Sequence, residues 1–492
     1  MNFARDVVDA APSARLALIE LARDGTRREW TFGEVSERSS RLAGALAARG
    51  IGRGDVVMSL IGNRPEWVFA IVACLRIGAV VLPATEQLRA ADLRLRIEIA
   101  QPQLILADKR DRAQLKAARP HCPVLLVPDE SLFAADPAPT GELAAHEPSL
   151  ITFTSGTAGE PKAVVHAQRY LSGQRLQATA WLDARAGELV WCTAASGWSK
   201  SARNVFIAPW LCGAAALLHD ARFDPDERLS LLEREGVNVL CMAPTEYRVI
   251  ARRSAPRASA ALRTLVAAGE ALNPEVLSSW RAATGLEIRD GYGQTETGQL
   301  TGSPPGVPAK PGSMGPALPG VELHVQDGEL TVDPASVPTF FLGYLGEQLR
   351  REQDGSWTGV DARDGGRWHT GDLVEQDDEG WLGFLGRNDD VIISAGYRIG
   401  PFEVESALLS HPSVAEAAAV AAPDEERGAV VRAVVVLRDS RLAPSPELVR
   451  ELQELVKRQT APYKYPRVID FVDELPKTAS GKVRRAALRD GG

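Results

Sequence analysis

A chain of 492 residues exceeds what one hydrophobic core usually holds, so two or more domains are expected. Hydrophobic content of 45% and charged content of 24% are ordinary globular values with ample core material. The net charge of −8 argues against a nucleic-acid-binding surface as the main business, while leaving local basic pockets open.

The five cysteines, Cys74, Cys122, Cys192, Cys212 and Cys241, are odd in number and show no metal-ligand spacing. Most sit in apolar runs, as buried, reduced thiols of a cytosolic protein do. Met1 to Ala10 carries Asp6 and Asp9 and has no apolar core, so no secretory signal is visible. The longest apolar stretch, Phe69 to Leu82, is interrupted by Arg76 and closed by Pro83, too short and punctuated to span a bilayer. The expected protein is soluble and cytoplasmic, with no stable membrane anchor.

Along the chain, Phe32, Val35, Ser39, Leu42, Ala43, Leu46 and Ala47 recur at helical spacing until Gly50 stops the helix. The segment from Ile51 to Leu60 reads as a turn into a strand. Asn63-Arg-Pro-Glu-Trp67 opens a second helix, which Gly78 ends before a buried strand from Ala79 to Leu82. Short strands at 104–106 and 124–127 continue the alternation of parallel α/β layers. Residues 133–148, rich in Ala, Pro, Asp and Glu, form a connector.

The connector leads into Ile151-Thr-Phe-Thr-Ser-Gly-Thr-Ala-Gly-Glu-Pro-Lys-Ala-Val-Val-His166. Glycines permit close backbone approach, hydroxyls and N–H groups donate, and a lysine adds a compact positive charge, a set that suits a polyphosphate. No Gly-Lys-Ser/Thr ends the loop, so it is not a Walker A sequence. A Gly/Ser/Thr hairpin with a solvated lysine fits the same residues. Beyond it, 206–213 followed by 214–218 echoes 75–82 as helix end, glycine and buried strand, either a repeated subdomain plan or the common habit of αβ units. Strands with sharp exits follow at 236–244, 265–272 and 287–298, and such exits are where parallel sheets bind ligands. A Pro/Gly-dense loop over 302–320 leads to a β-rich section at 321–325, 330–332 and 381–385. After a polar break at 386–390 the character changes: a helix from Pro401, strands at 414–421 and 429–437, a helix at 446–458 and a basic tail suffice for an α+β domain of about 100 residues.

Seven signals stand in series: the Thr154–Lys162 loop; Ala268-Gly-Glu-Ala271; Tyr292-Gly-Gln-Thr-Glu-Thr-Gly298; Thr370-Gly-Asp372; Gly386-Arg-Asn-Asp-Asp390; Gly396-Tyr-Arg-Ile-Gly-Pro-Phe-Glu-Val-Glu405; and Pro476-Lys-Thr-Ala-Ser-Gly-Lys482. Together, from about Trp30 onward, they resemble the adenylate-forming superfamily of acyl-CoA synthetases, peptide-synthetase adenylation domains and luciferases, and most closely its medium-chain and aromatic acyl-CoA synthetases. The resemblance implies an α/β fold: a large N-terminal domain of layered α/β subdomains plus a β-rich subdomain (1–385), a hinge (386–390) and a small mobile α+β C-terminal domain (391–492). It implies a two-step ligase that joins a carboxylic acid to ATP as acyl-adenylate, releases pyrophosphate, and passes the acyl group to coenzyme A, with Mg²⁺ in attendance.

Residue by residue, the resemblance gives Thr154, Ser155, Gly156, Thr157, Gly159 and Lys162 to the β- and γ-phosphates, and Gly269, Glu270 and Ala271 to the adenine edge. Asp290, Gly291, Tyr292, Gly293 and Gln294 join the nucleotide site, with Tyr292 stacked on the base. Thr295 would bind the α-phosphate, Glu296 the Mg²⁺, Asp372 the ribose hydroxyls, Arg387 the ribose, and Arg398 phosphate. Lys482 would bridge carboxylate and α-phosphate. Asp389 would be the hinge about which the C-terminal domain turns, bringing Gly396 and Tyr397 to the pantetheine arm. Taken singly, Asp372 fits an Asx-turn, Lys482 a solvated tail and Glu296 a helix cap.

Gly197-Trp-Ser-Lys-Ser and Pro209-Trp carry the likeness to medium-chain and aromatic enzymes. Acetate-specific members close their pocket with a tryptophan where this chain has Gly293, so an acid larger than acetate is expected, with Trp198 a pocket wall or a core residue. The stretch 343–367 departs from the usual short form. His166 fits a lining position or, more simply, a helix-opening one. Two other readings stay open: transfer to a carrier-protein phosphopantetheine, and a nucleotide-binding protein without ligase activity. Monomer or homodimer is expected, with no nucleic-acid partner.

Overall fold

The computed structural model describes residues 1–492 apart from 155–160, 258, 271, 273, 395–396, 425–426, 440–442, 478–481 and 490–492. Two mainly parallel sheets organise the first three hundred residues. The seven-stranded sheet runs Gly343–Tyr344, Ala163–Ala167, Pro148–Phe153, Val80–Ala84, Val56–Leu60, Leu104–Asp108, Val124–Val127. The eight-stranded sheet runs Gly298–Gly302, Ile288–Gln294, Thr264–Ala268, Val239–Met242, Leu189–Cys192, Ala215–His219, Leu16–Leu21, Arg27–Thr31. Interior pairs are parallel, and antiparallel pairs occur toward the edges. The interior strands Val56–Leu60, Val80–Ala84 and Leu104–Asp108 are buried throughout, as continuous apolar runs between helical layers must be.

Local chemistry explains the helix limits. Thr31 and Glu34 form a reciprocal capping box at the start of Phe32–Ala47. Pro65 opens Pro65–Ile77 and Gly78 closes it at φ 75° in the left-handed region. The echo noted in sequence is structural: Gly78 precedes a strand of one sheet, and Gly213, at φ 77°, precedes Ala215–His219 of the other. Trp67 and Phe206, from the two corresponding helical segments, meet edge to face at 5.6 Å.

A four-stranded antiparallel sheet, Leu323–Gln326, Glu329–Val332, Trp368–Gln376, Leu382–Arg387, forms the β-rich section. Its last strand continues through Arg387, two residues into the segment read as a polar break, because Arg387 pairs in register with Asp372; the turn occupies 388–390. The unusual stretch after Gly343 forms a hairpin, Leu349–Arg351 with Trp357–Gly359, and Arg351 and Trp357 tie it to the carbonyl of Gly54 at 3.1 and 2.9 Å.

The last hundred residues have a hydrophobic cluster of their own, from Ile392 to Val456, beneath the sheet Val414–Asp424, Gly428–Leu437, Val468–Phe471 and the helices Pro401–Leu409 and Pro446–Gln459. Arg252 of the large body donates to the Ala415 carbonyl of the small one at 2.7 Å. Among the described residues no helix is long and apolar enough to cross a membrane.

Candidate active site

The seven-residue strand Ile288–Gln294 brings its sharp exit against the four-stranded sheet, and Asp372 is the meeting point. Asp372 lies inside the strand Trp368–Gln376, not in an Asx-turn, and is 4% exposed. Tyr292 donates its hydroxyl to Asp372 Oδ2, Gln294 donates its amide to the same oxygen at 2.8 Å, and Arg387 Nη1 meets Oδ1 at 3.3 Å. Trp368 donates its indole N–H to Gln294 Oε1 at 3.1 Å, so the amide is held from both ends. Burial pushes the Asp372 carboxyl up, and Arg387, Tyr292 and Gln294 oppose that shift by favouring the anion. The result is a preoriented acceptor on the edge of a half-buried tyrosine, a pairing that fits a ribose beside a flat base.

Glu296 and Thr295 occupy the turn between Ile288–Gln294 and Gly298–Gly302, so Glu296 caps no helix. The Tyr344 hydroxyl donates to Glu296 Oε1 at 2.7 Å. The flanks of the Gly/Ser/Thr loop form an antiparallel hairpin, Pro148–Phe153 with Ala163–Ala167, as the hairpin reading expects, although Lys162 is paired and not merely solvated. Lys162 donates its backbone N–H to Thr154 Oγ1 at 2.9 Å; its ammonium sits 4.6 Å above the Tyr344 ring and 2.8 Å from Glu347. Tyr344 therefore touches both the loop lysine and the turn carboxylate.

Lys200 is the residue whose position sequence reasoning left unassigned. Its ammonium donates to the carbonyl of Ala268 at 2.8 Å and would lie 2.9 Å from a Cβ placed on Gly269, whose φ is 103°. The available signal was a lysine ending the uncharged run 189–199, with Arg203 three residues further on. Glu270 beside it accepts from Thr245 Oγ1 at 2.7 Å. Burial pushes the Asp290 carboxyl up to about 8, against the Gly291 N–H bond and the charge of Lys200.

Lys482, at the opposite end of the chain, comes to this same place. Crowding around its ammonium, then the like charge of Lys200, holds its pKa below the lysine norm, while the carboxylates of Glu270 and Asp372 act the other way and Arg387 adds to the lowering. Its residue surface as a whole stays exposed, so the desolvation concerns the charged head, not the stem. A solvated tail would feel none of these groups.

Other expected positions separate. Ser155, Gly156, Thr157, Gly159, Ala271 and Gly396 lie outside the described residues, as does the side chain of Arg398. Tyr397 is 52% exposed and stacks on Tyr463 at 4.3 Å. Asp389 accepts from Arg387 Nε at 3.4 Å, and its carbonyl accepts from Arg489 at 3.0 Å. Trp198 is partly buried on the loop after Leu189–Cys192. Gly293 has a reason of its own for lacking a side chain: a Cβ there would stand 1.8 Å from the carbonyl oxygen of Gly298 across the hairpin. The backbone of this hairpin, and not open pocket space, is what an added side chain would meet first. His166 lies inside the strand Ala163–Ala167 and does not open the helix that starts at Gln168; it is fully buried and stacks on Tyr170 at 3.9 Å.

A buried carboxylate acceptor beside a tyrosine, a Gly/Thr loop hairpin and Lys482 brought to them from the far end of the chain fit the class of adenylating enzymes. Comparison with known proteins agrees. The AMP-binding enzyme family matches residues 5–345, and the AMP-binding enzyme C-terminal domain matches 403–482. The human mitochondrial acyl-coenzyme A synthetase ACSM4 is 38% identical over 99% of this chain and 90% of its own length. An uncharacterised acyl–CoA ligase of Bacillus subtilis, YtcI, is 39% identical over 98% and 94%. The crystal structure of a benzoate CoA ligase from Burkholderia xenovorans superposes at a TM-score of 0.86 with 28% identity, covering 99% of this chain and 100% of that one. The chain belongs to the AMP-binding enzyme family, as an ATP-dependent acid–CoA ligase that uses Mg²⁺ and coenzyme A.

The residues present fit the metal. Glu296 gives one oxygen to Tyr344, and a single carboxylate beside polyphosphate oxygens and water is the donor set Mg²⁺ favours.

Proposed function

We propose that the protein activates a medium-chain or aromatic acid, larger than acetate, and that the residues gathered around Asp372 and Lys482 do the work. The observation that carries the reading is the convergence of Tyr292, Gln294, Asp372 and Arg387 with Lys482 on one site. Adenylation brings an anionic carboxylate to an anionic triphosphate, so positive charge and oriented donors must be in place beforehand. Asp372 accepts the ribose hydroxyls while Tyr292 lies along the base. Lys162, Thr154 and their loop hold the β- and γ-phosphates. Lys482 holds the acid's carboxylate against the α-phosphorus; one carboxylate oxygen forms a bond to it as the bond to pyrophosphate breaks. Mg²⁺, when bound at Glu296, supplies charge neutralisation between the phosphates.

Thiolysis needs a different face. The small body has its own core, and turning it about Asp389 withdraws Lys482 and presents the edge at Gly396 and Tyr397 to the pantetheine arm. The exposed Tyr397 supports this role, since it has no packing reason to face solvent. The ligase is read as cytoplasmic, a monomer or homodimer without nucleic-acid partners, with a carrier-protein phosphopantetheine as the alternative acceptor.

A panel from propionate through octanoate to substituted benzoates, read as pyrophosphate release and then as thioester, tests the reading. Turnover with the larger acids and with free coenzyme A is expected. Preference for acetate overturns the acid class. Turnover with holo-carrier protein and none with free coenzyme A overturns the acceptor.

A further inference from the structure

One region behind the reacting groups is too polar for its burial. The helix Gln168–Ala180 turns Gln174 and Gln177 inward at 0% and 2% exposure, where an amphipathic helix would place aliphatic residues. Facing it is the short π-helix Arg203–Ile207, whose first two residues, Arg203 and Asn204, are also buried. Gln177 donates to Asn204 Oδ1 at 2.8 Å, which satisfies one pair only. Among the described residues, Asn204 Nδ2, Gln177 Oε1 and both Nε and Nη1 of Arg203 have no hydrogen-bond partner. Gln299 Oε1, on the opposite wall, has none either.

Arg203 is the outlier among them. It is 5% exposed, and among the described residues no carboxylate lies within ion-pair distance of it. Its neighbours bring no counter-charge. Burial, with the charges of Arg203 and Arg169, lowers His166 to about 3, so that ring is neutral, and burial raises the Tyr170 phenol, which stays protonated. A buried guanidinium whose hydrogen-bonding neighbour is the neutral Tyr170 hydroxyl is costly, because its charge is uncompensated. Such a group in a native fold calls for a partner that arrives from outside.

Its location says which partner. Arg203 lies three residues beyond Lys200, and Lys200 is held against Ala268 and Gly269 beside Lys482. Arg203 Nη1 would be 3.5 Å from a Cβ on Gly298, beneath the turn that carries Thr295 and Glu296. The segment that begins at Trp198 therefore runs from Lys200, beside Lys482, to Arg203 behind Gly298.

Resting on the ligase reading above, we infer that Arg203, with Asn204 and Gln177, closes the far end of the acyl pocket as a carboxylate receptor, and that the acid is a dicarboxylate: one carboxylate is adenylated and the second pairs with Arg203. A planar guanidinium offers the bidentate fork a carboxylate needs, and Asn204 Nδ2, held in place by the Gln177 bond to its Oδ1, donates to one further lone pair.

Matched acids of equal length decide it. Octanoate, its ω-hydroxy derivative and suberate, and benzoate against terephthalate, are compared as kcat/KM for pyrophosphate release in the intact protein, Arg203→Gln and Arg203→Lys. Wild type is expected to prefer the diacid in at least one series. The diacid-to-monoacid ratio should fall on the order of 10²-fold in Arg203→Gln, as loss of one member of a buried charge pair does, with partial recovery in Arg203→Lys. Unfolding midpoints confirm that the variants are folded; should Arg203→Gln not fold, wild type and Arg203→Lys still report the preference. The inference is overturned if wild type prefers the monoacid or the ω-hydroxy acid at every length, or if the ratio is the same in all folded variants. If no acid at all releases pyrophosphate, it is the ligase reading that fails.

Discussion

The Tyr344 hydroxyl donates to Oε1 of Glu296 at 2.7 Å while its ring lies 4.6 Å under the ammonium of Lys162. One side chain thus touches both the carboxylate proposed to hold Mg²⁺ and the lysine proposed to hold the phosphates. Partners of this kind commonly change metal affinity or activity by about 10- to 100-fold when removed. Tyr344→Phe is expected to raise the KM for Mg²⁺–ATP by about tenfold, with a smaller effect on the KM for the acid. Initial rates of pyrophosphate exchange at varied ATP and varied Mg²⁺ measure it; equal effects on both substrates would remove Tyr344 from this role.

Lys482 carries a prediction for each half-reaction. Lys482→Ala is expected to lower acyl-adenylate formation on the order of 10²-fold or more, yet to leave conversion of supplied acyl-adenylate by coenzyme A largely intact. The pH dependence has a definite sign. Desolvation and Lys200 lower the ammonium's pKa, so the protonated form required for adenylation is lost on the alkaline side sooner than for an ordinary lysine. The alkaline limb should shift upward in Lys482→Arg, whose guanidinium does not titrate there. Identical alkaline limbs in the two proteins would assign that titration to another group.

Much of this architecture was legible because its signals are local. Pro65 and Gly78 bracket a helix by backbone restriction alone, and the alternation of apolar strand and amphipathic helix announces parallel layers. Asp372 and Lys482 could be singled out by motif, but their meeting could not be derived from spacing, since it depends on how two separate bodies pack. Lys200 and Arg203 were hidden for a different reason. Their significance lies in what surrounds them, the Ala268 carbonyl for Lys200 and, among the described residues, no carboxylate in ion-pair reach for Arg203, and neither leaves a mark on the linear sequence. Gly293 shows the reverse failure: a missing side chain read as room for substrate is accounted for by the carbonyl of Gly298.

That contact makes Gly293 testable apart from chemistry. A Cβ 1.8 Å from a backbone oxygen forces the hairpin to move, since backbone cannot swing aside as a flexible side chain can. Gly293→Ala is expected to destabilise the protein by about 1–3 kcal/mol, the usual range for overpacking, and to lower turnover with every acid rather than selectively with long ones. Thermal unfolding and the acid panel check both parts. A variant of unchanged stability that rejects only the larger acids would restore Gly293 to the pocket.

Asp290 provides a pH signature in stability. Burial raises its carboxyl to about 8, while an unfolded aspartate titrates near 3.9. Between those values the folded state holds a proton that the unfolded state has released. The unfolded state therefore binds fewer protons, and stability must fall as pH rises through this window. The contribution is fully favourable below the unfolded pKa and is lost as pH climbs through the folded one. Asp290→Asn removes the titration while keeping the shape, so its unfolding midpoint should gain on wild type steadily between about pH 4 and 8 and run parallel to it below that range. Lys200 opposes the shift by favouring the anion, so in Lys200→Met the fall in stability is expected to continue to higher pH than in wild type. Parallel midpoint curves for wild type and Asp290→Asn over the whole range would show that Asp290 is ionised in the folded protein and that its carboxylate has a partner, such as the Lys200 ammonium, at closer range than the structure gives it.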